Sequence, residues 1–440
     1  MKMRPFMTAQ RRLENTYHAY PQPFWVLMTG TFIDRFGTNL VMPFLAIYVA
    51  QRFNGQLTQV GVIFTIFAIS GLVGNVLAGA LADRFGRRFA LLVGMVCAAT
   101  ARVGMGLATD FTGLYVAAAF AGLFGAVGWP AQLAMTADLL EPEKRADGFG
   151  IQRVVINSTY ALGPLVGGLL APLTGYLLLF VLDAITSYFV AFIVYSRLPE
   201  TRPATQQGMP AENFAQTLAG YKRVLQDGTF MVFLLFSILA TTAYMQMFTT
   251  LSLFLVKFQQ MPESFYGALV MLNAAMVVML QIPITRWAAK RSLHWMMIGG
   301  TALYLVGFGS YGLTPSVPLF VIATVLITGG EMLVVPTGQA LTVLLAPEDL
   351  RARYGAIGYF NWIIAQSLGP VAGAAIMDRF DPRWVWYGCS ILCAISMGGF
   401  YGLHLRSGGR LSAKQDEAAG KRDKAARLPA AAQPVSTENT

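Results

Sequence analysis

The chain is poor in the residue types on which most soluble enzymes depend. Of 440 residues only 12% are charged, and there are three histidines and three cysteines. A water-facing surface of ordinary composition is thereby excluded, since globular domains carry about 25% charged residues. Cys97, Cys389 and Cys393 all fall inside apolar runs, which fits small packing residues rather than disulfides or metal ligands. No nucleophile paired with a base, no metal-ligand spacing and no phosphate-cradling loop is present, so neither enzymatic activity nor a bound cofactor is expected. What fills the chain is apolar: 55% hydrophobic residues and a mean hydropathy of +0.54.

Such a chain needs lipid as its solvent. One crossing of a bilayer takes about 20 apolar residues, and breaks at charges, prolines and turn residues predict twelve helices. They lie approximately at 24–50, 57–82, 89–109, 111–136, 148–172, 174–196, 229–256, 263–288, 295–313, 315–345, 354–377 and 384–405. The fifth and sixth are separated mainly by Pro172 and Gly175. Lys and Arg are retained on the cytoplasmic side of short loops. One set of connections holds Arg84, Arg87, Arg88, Lys144, Arg145, Arg286, Lys290, Arg291, Arg351 and Arg353, the other only Arg52, Lys257, Arg379 and Arg383. Both termini are therefore expected in the cytoplasm of a multi-pass cell (inner) membrane protein. The net charge of +10 follows from this bias and a basic tail, and with no basic patch interleaved with aromatics it does not imply nucleic-acid binding. The N-terminus lacks a short apolar core with a small-residue cleavage site and is expected to stay uncleaved.

An internal repeat supplies the architecture. Trp129-Pro130, Leu139-Leu140-Glu141-Pro142 and Leu162-Gly163-Pro164-Leu165-Val166-Gly167 return as Val335-Pro336, Leu344-Leu345-Ala346-Pro347 and Leu368-Gly369-Pro370-Val371-Ala372-Gly373, about 205 residues later. Two homologous six-helix halves are the parallel repeat of a carrier that rocks around a central site. The expected division is an N-terminal segment 1–22, a half 23–197, a linker 198–228, a half 229–405 and a disordered tail 406–440. Within the linker, Phe214, Leu218, Tyr221 and Leu225 recur at helical spacing, so 212–226 can lie as an amphipathic helix at the membrane surface or act as a simple tether.

Between the second and third predicted helices stands Gly79-Ala-Leu-Ala-Asp83-Arg84-Phe-Gly86-Arg87-Arg88. This charged elbow resembles the G-x-L-x-D-R-x-G-R-R signature of the major facilitator superfamily. In the second half Ala289 stands where the repeat would place Asp83. The resemblance covers roughly residues 22–405 and implies the major facilitator fold, with two pseudo-symmetric halves. It also implies a gating network of Asp83, Arg84, Arg87, Arg88 and Asp138, in which Asp138 and Asp83 share Arg87 and lock the first half in the outward-facing state. Gly150, Gly163, Pro164, Gly167 and Gly168 resemble the helix-packing motif of the superfamily's antiporters, with Thr159 where another glycine is usual. Asp34, Asn39 and Pro43 resemble a first-helix motif of its proton-driven exporters, with Phe36 replacing a threonine. Gly330-Glu331, Pro336 and the stretch Tyr221–Phe230 look like bacterial drug:proton antiporters of the LmrP and MdtH type. Those exporters commonly carry an arginine in the fourth helix; Leu114 to Trp129 has none.

Ionisable groups at mid-helix cost about 2.5–3.5 kcal/mol on insertion scales, so each is a functional candidate. Glu331 lies near the bilayer midplane, and its repeat counterpart is Gly125. Glu331, Asp34, Arg35 and Arg153 are the proton-coupling or substrate candidates; helical geometry puts Asp34, Thr38, Val41 and Leu45 on one face, with Arg35 about 100° away. Arg102 and Asp183 are left as partners for other charges. Tyr244, Gln246, Tyr359, Asn361 and Trp362 are cavity candidates, aromatic or polar surfaces beside soft methionines. The expectation is a monomeric secondary transporter that exports lipophilic or cationic small molecules by alternating access, with protons as the coupling ion. A carrier of one metabolite and a transport-inactive sensor or assembly partner are the alternatives.

Overall fold

The computed structural model describes residues 19–53, 57–141, 144–201, 222–288, 291–313, 316–347 and 350–407. These form twelve helices long and apolar enough to cross a membrane. Helix α1 runs Gln22–Val41 and continues through a 3-10 turn, Met42–Phe44, and a short helix, Leu45–Phe53. The break falls at Pro43, which lacks the N–H that an unbroken helix would use. Then come α2 (Leu57–Phe85), α3 (Arg87–Leu107), α4 (Phe111–Asp138), α5 (Arg145–Thr174) and α6 (Tyr176–Arg197). The second half has α7 (Gly228–Thr249), carried on through Leu251–Leu253 and a π-turn Phe254–Phe258, then α8 (Glu263–Ala288) and α9 (Leu293–Leu313). It closes with α10 (Val317–Leu345), α11 (Arg351–Arg379) and α12 (Trp384–Ser407).

Helix starts follow local chemistry. Asp110 accepts from Gly113 N at 2.7 Å to open α4, and Asp227 accepts from Thr229 N and Phe230 N at 3.0 and 3.1 Å to open α7, each satisfying donors the helix leaves unpaired. Pro172 proves to be inside α5. The chain turns instead at Gly175 alone, whose φ of 76° suits a residue without a Cβ.

The two halves pack alike. In the first, α1 packs on α5 and α6, α4 on α2 and α3, and α3 on α6; in the second, α7 packs on α11 and α12, α10 on α8 and α9, and α9 on α12. Between halves, α2 packs on α11 and α5 on α8, the same pairing taken in both directions. Large side chains such as Phe192 and Met279, 67% and 71% exposed, cover the outside. In water so much apolar surface would be an association hazard; against acyl chains it is the expected coat.

The halves are sealed at one end only, opposite the elbow at Gly86. There a single apolar cluster crosses the interface, with Phe44, Ile47 and Leu57 joining Tyr266, Phe254 and Trp386. At the elbow end each half keeps its own cluster, around Phe24, Leu27 and Met135 in one and Phe230, Leu350 and Tyr354 in the other. Tight backbone contact makes the seal: a Cβ on Gly61 would meet the backbone of Pro370 and Val371, and one on Gly267 would meet that of Pro164 and Leu165. Hydrogen bonds fasten it. Asp378 Oδ1 accepts from Leu57 N at 2.8 Å and Oδ2 from Thr58 N and Oγ1 at 2.7 Å, capping α2 from the other half. Tyr176 donates to Glu263 at 3.1 Å, and Thr65 to the Ser367 carbonyl at 2.5 Å.

Much of the expected amphipathic linker helix lies in 202–221, outside the described residues, as do 1–18 and the tail 408–440. At its described end Leu225 is 56% exposed and the neighbouring Val224 is buried in the second-half core.

The Asp378 cap gives a direct test. Bonds to a charged acceptor contribute about 1.5–3 kcal/mol each, so Asp378→Asn is expected to shift the sealed-to-open ratio at this end by about tenfold or more. Spin labels at Gln51 and Arg383, in a background without native cysteine, would report a larger population at long distance.

Candidate functional site

A cavity at the membrane's middle depth separates the halves as two adjoining chambers of about 500 and 530 Å³. Arg35, Thr38, Met42, Phe67, Tyr160 and Gln366 line both. Tyr359 lines the first and is 56% exposed although it is only about 12 Å from the start of α11. The cavity therefore opens toward the elbow end.

Glu331 lies on the wall of the second chamber, about 21 Å along α10. Asn273 of α8 donates to its Oε2 at 2.7 Å and to Thr328 Oγ1 at 3.0 Å. Tyr244 of α7 lines the same chamber wall. The Tyr244 ring stacks on Tyr304, centroids 5.7 Å apart, and meets Trp362 edge-on at 6.1 Å. A carboxyl held by a neutral donor, without a directly bonded cation among the described contacts, can take or release a proton without dismantling an ion pair. Arg153 is the cation whose field reaches it. Its side chain is exposed and outside both chamber linings.

On α1 both neighbouring candidates, Asp34 and Arg35, border the cavity. Asp34 borders the first chamber, but its carboxylate turns toward α6, where Ser187 donates to Oδ1 at 2.8 Å. Arg102 of α3 reaches Ser187 Oγ at 3.3 Å and forms an ion pair with Asp183 of α6. Thr38 adds a bond to Asp183 at 3.1 Å. Val41 and Leu45, on the same face, are buried in the first-half core. Asp34 thus borders one chamber while its carboxylate bonds to α6, and Arg35, one residue on, borders both. Its guanidinium lies 5.2 Å over the ring of Trp129 in α4. Arg35 thus places a cation beside α4, which has no arginine between Leu114 and Trp129.

Other candidates divide similarly. Tyr244 and Trp362 line the second chamber and Tyr359 the first. Gln246 does not: it sits about 200° around α7 from Tyr244, is 3% exposed, and donates to the Gly369 carbonyl at 2.7 Å while accepting from Thr250. Asn361 is likewise on another face of α11, outside both linings, with a buried Oδ1 that has no hydrogen-bond partner among the described residues. Asn273, Trp129 and Tyr160 were not anticipated. The signal for Asn273 was available, since an amide in the middle of an apolar run needs a partner.

Of the packing motif, Gly163 abuts Asn39 and Gly167 abuts Leu40 and Phe44 of α1, while Gly168 and Pro164 meet α8 at Glu263 and Gly267. Thr159 accepts from Asn39 Nδ2 at 3.0 Å, so its hydroxyl joins the same contact. Gly150 does not belong to this packing: a Cβ there would have no neighbour within 4 Å, because it lies near the elbow end where the halves part.

At the elbow, Arg87 pairs with Asp138 and donates to the Ala134 carbonyl at 3.2 Å. Arg84 lies over Phe85, and Arg88 over Tyr195 while bonding its carbonyl. Asp83 is helical, but its side chain, like Ala289 and Lys290, lies outside the described residues. Unanticipated is Glu200, which accepts from Arg87 N and Arg88 N at 2.9 and 3.1 Å, a carboxylate at the positive end of α3. The Arg87–Asp138 pair is formed while the opposite end is sealed, so it does not by itself hold the elbow end shut.

Two pseudo-equivalent helical halves around a cavity sealed at one end define a multi-pass membrane transporter rather than an enzyme. The family model described as Major Facilitator Superfamily matches residues 27–280 and 255–435, and the chain belongs to that superfamily. Among its relatives is the Na(+), Li(+), K(+)/H(+) antiporter of Planococcus maritimus, 27% identical over 390 residues, 82% of this chain and 89% of that protein. Multidrug resistance protein MdtH of Sodalis glossinidius is 23% identical over 387 residues, covering 86% and 92%. The fold is similar to that of the nucleoside transporter NupG, with a TM-score of 0.77 at 12% identity, over 87% of this chain and 100% of that structure.

The buried network predicts a strong asymmetry. Asp183→Asn strands Arg102 in the core and is expected to cost about 3–5 kcal/mol, whereas Arg102→Met combined with Asp183→Leu recovers most of that loss. Thermal unfolding in detergent, parent against both variants, measures it.

Proposed function

We propose that the protein is a proton-coupled antiporter that exports lipophilic or cationic small molecules, with Glu331 as the principal coupling carboxyl. The observation that carries this reading is the placement of Glu331: a lone carboxyl on an aromatic cavity wall, held by Asn273 in a chamber that Tyr244 and Trp362 also line. Deprotonated, it attracts a cationic ligand whose flat body rests on Tyr244 and Trp362, with cation–π contact adding to the attraction. Protonated, it releases that ligand. Asp34 is the secondary coupling candidate, linked through Ser187 to the Arg102–Asp183 pair. The names of the two relatives, one a monovalent cation/proton antiporter and one a multidrug resistance protein, support exchange of cations for protons.

In this reading the elbow end and both termini face the cytoplasm of a cell membrane, so the observed state loads substrate from inside. The halves 23–197 and 229–405 then rock about the α2–α11 and α5–α8 seams, breaking the Asp378 and Glu263 contacts as the elbow end closes. Arg87 and Asp138, with Asp83, Arg84 and Arg88 around them, bias that equilibrium. The protein acts as a monomer in lipid, with protons as its coupling ion and no bound cofactor. One proton crossing a total driving force of roughly 150 mV supplies about 3.4 kcal/mol, enough for about a 300-fold gradient of a neutral substrate.

Efflux of ethidium from vesicles with an imposed proton gradient tests the reading. The parent is expected to export dye only with the gradient; Glu331→Gln is expected to lose gradient-driven export by at least about tenfold, and Asp34→Asn to lose a smaller part. Failure of the parent to move any lipophilic cation would overturn it in favour of a narrow metabolite carrier.

A further inference from the structure

The second chamber carries two charged side chains in its lining, one from each half: Glu331 from α10 and Arg35 from α1. The Glu331 carboxyl is already held by a neutral donor, Asn273. Arg35 is different. A guanidinium stays charged at any physiological pH and offers five donors in a fixed plane, yet the contact described for Arg35 is the face of Trp129, which takes the cation's field and none of its hydrogen bonds. The nearest carboxylate in sequence, Asp34, is turned away to Ser187. Arg102, the other cation bordering the cavity, is paired with Asp183. Neutral hydrogen-bonding groups, Asn157, Tyr160 and Gln366, line the same chamber as Arg35.

We infer that Arg35, held in place by Trp129, is an anion-accepting subsite facing Glu331 across the cavity, and that the cavity is shaped for aromatic zwitterions: molecules carrying a carboxylate as well as a cationic amine. This deepens the cation-export reading and rests on it for the Glu331 end alone. The carboxylate engages the guanidinium plane edge-on, leaving its face on Trp129, while the aromatic body spans the wall formed by Tyr160, Tyr244 and Trp362. Trp129 acts as a positioning residue, since it touches the arginine and borders the other chamber. The arrangement also explains why an arginine is tolerated at this depth without a carboxylate bonded to it: the cavity, open to water at the elbow end, hydrates it until ligand arrives.

A matched dye pair separates the two ends. Rhodamine B has a free carboxylate and is zwitterionic; its ethyl ester keeps the xanthylium cation and lacks the acid. Binding of each to the full-length purified protein is followed by fluorescence polarisation, and the acid-to-ester affinity ratio of each variant is compared with that of the parent, which cancels dye partitioning into detergent and loss of folded protein. Arg35→Gln is expected to lower the ratio about tenfold, Arg35→Lys to lower it less because charge remains but the planar fork is lost, and Trp129→Leu to lower it a few-fold. Glu331→Gln is expected to weaken both dyes and leave the ratio near that of the parent. An unchanged ratio in Arg35→Gln overturns the inference, as does absence of binding by either dye to the parent. If the ratio collapses in Arg35→Gln while Glu331→Gln weakens neither dye, the anion subsite stands and the cation-binding reading of Glu331 fails.

Discussion

Polar groups at bilayer depth must find partners inside the protein, because lipid offers none. Everything distinctive about this structure follows from how that demand is met. The buried Arg102–Asp183 pair is backed by Ser187 and Thr38. Glu331 is held by Asn273. Even the broken stretch of α1 around Pro43 is kept against the second half, among Tyr266 and its neighbours, rather than left facing lipid. Asp34, Arg35, Arg102 and Glu331 are consequently gathered on inner faces of the helices, and the cavity is where they meet.

The same economy governs the seam between the halves. Without a hydrophobic effect between lipid-bathed helices, close backbone contact and interhelical hydrogen bonds have to hold them. Glycines at 61, 168 and 267 permit that contact, and Asp378 and Glu263 add polar latches at the same end. Because α2–α11 and α5–α8 are one contact repeated by pseudo-symmetry, the seam can yield as two equivalent hinges rather than at one weak point. The elbow end, where each half retains its own core around Met135 or Tyr354, contributes little to holding the halves together in this state. Its Arg87–Asp138 pair and the Glu200 cap stiffen the first half alone.

Charge within the cavity is divided by half. The first half contributes the guanidinium of Arg35 and, behind it, the Asp34–Ser187–Arg102–Asp183 network; the second contributes Glu331. In the proposed reading, a rocking motion would alter the separation of opposite charges at the same time as it alters access. It also makes α1 more than a packing helix: of two adjacent residues that border the cavity, Asp34 is tied to the α6 network and Arg35 rests on Trp129 of α4.

The architecture was legible in the sequence because it rests on composition and periodicity. Apolar runs of sufficient length dictate twelve crossings, and a repeat running from Trp129-Pro130 to Leu162–Gly167 dictates two like halves; both are properties of local chain chemistry. Glu331 was legible as well, since a carboxylate at mid-span stands out against its surroundings. What tertiary structure alone decided was direction. A helix offers every side chain a face, but which face meets the cavity depends on the rotation of that helix within the bundle. Packing of α1 against α6 took the Asp34 carboxylate to Ser187 and left Arg35 bordering both chambers, and packing of α7 against α11 put Gln246 on the Gly369 carbonyl and Tyr244 on the chamber wall. Contacts between segments remote in the chain, such as Asp378 on the start of α2 and Glu200 on the start of α3, have no local signature. They exist because folding brings a helix end, with its unpaired N–H groups, beside a carboxylate from more than a hundred residues away.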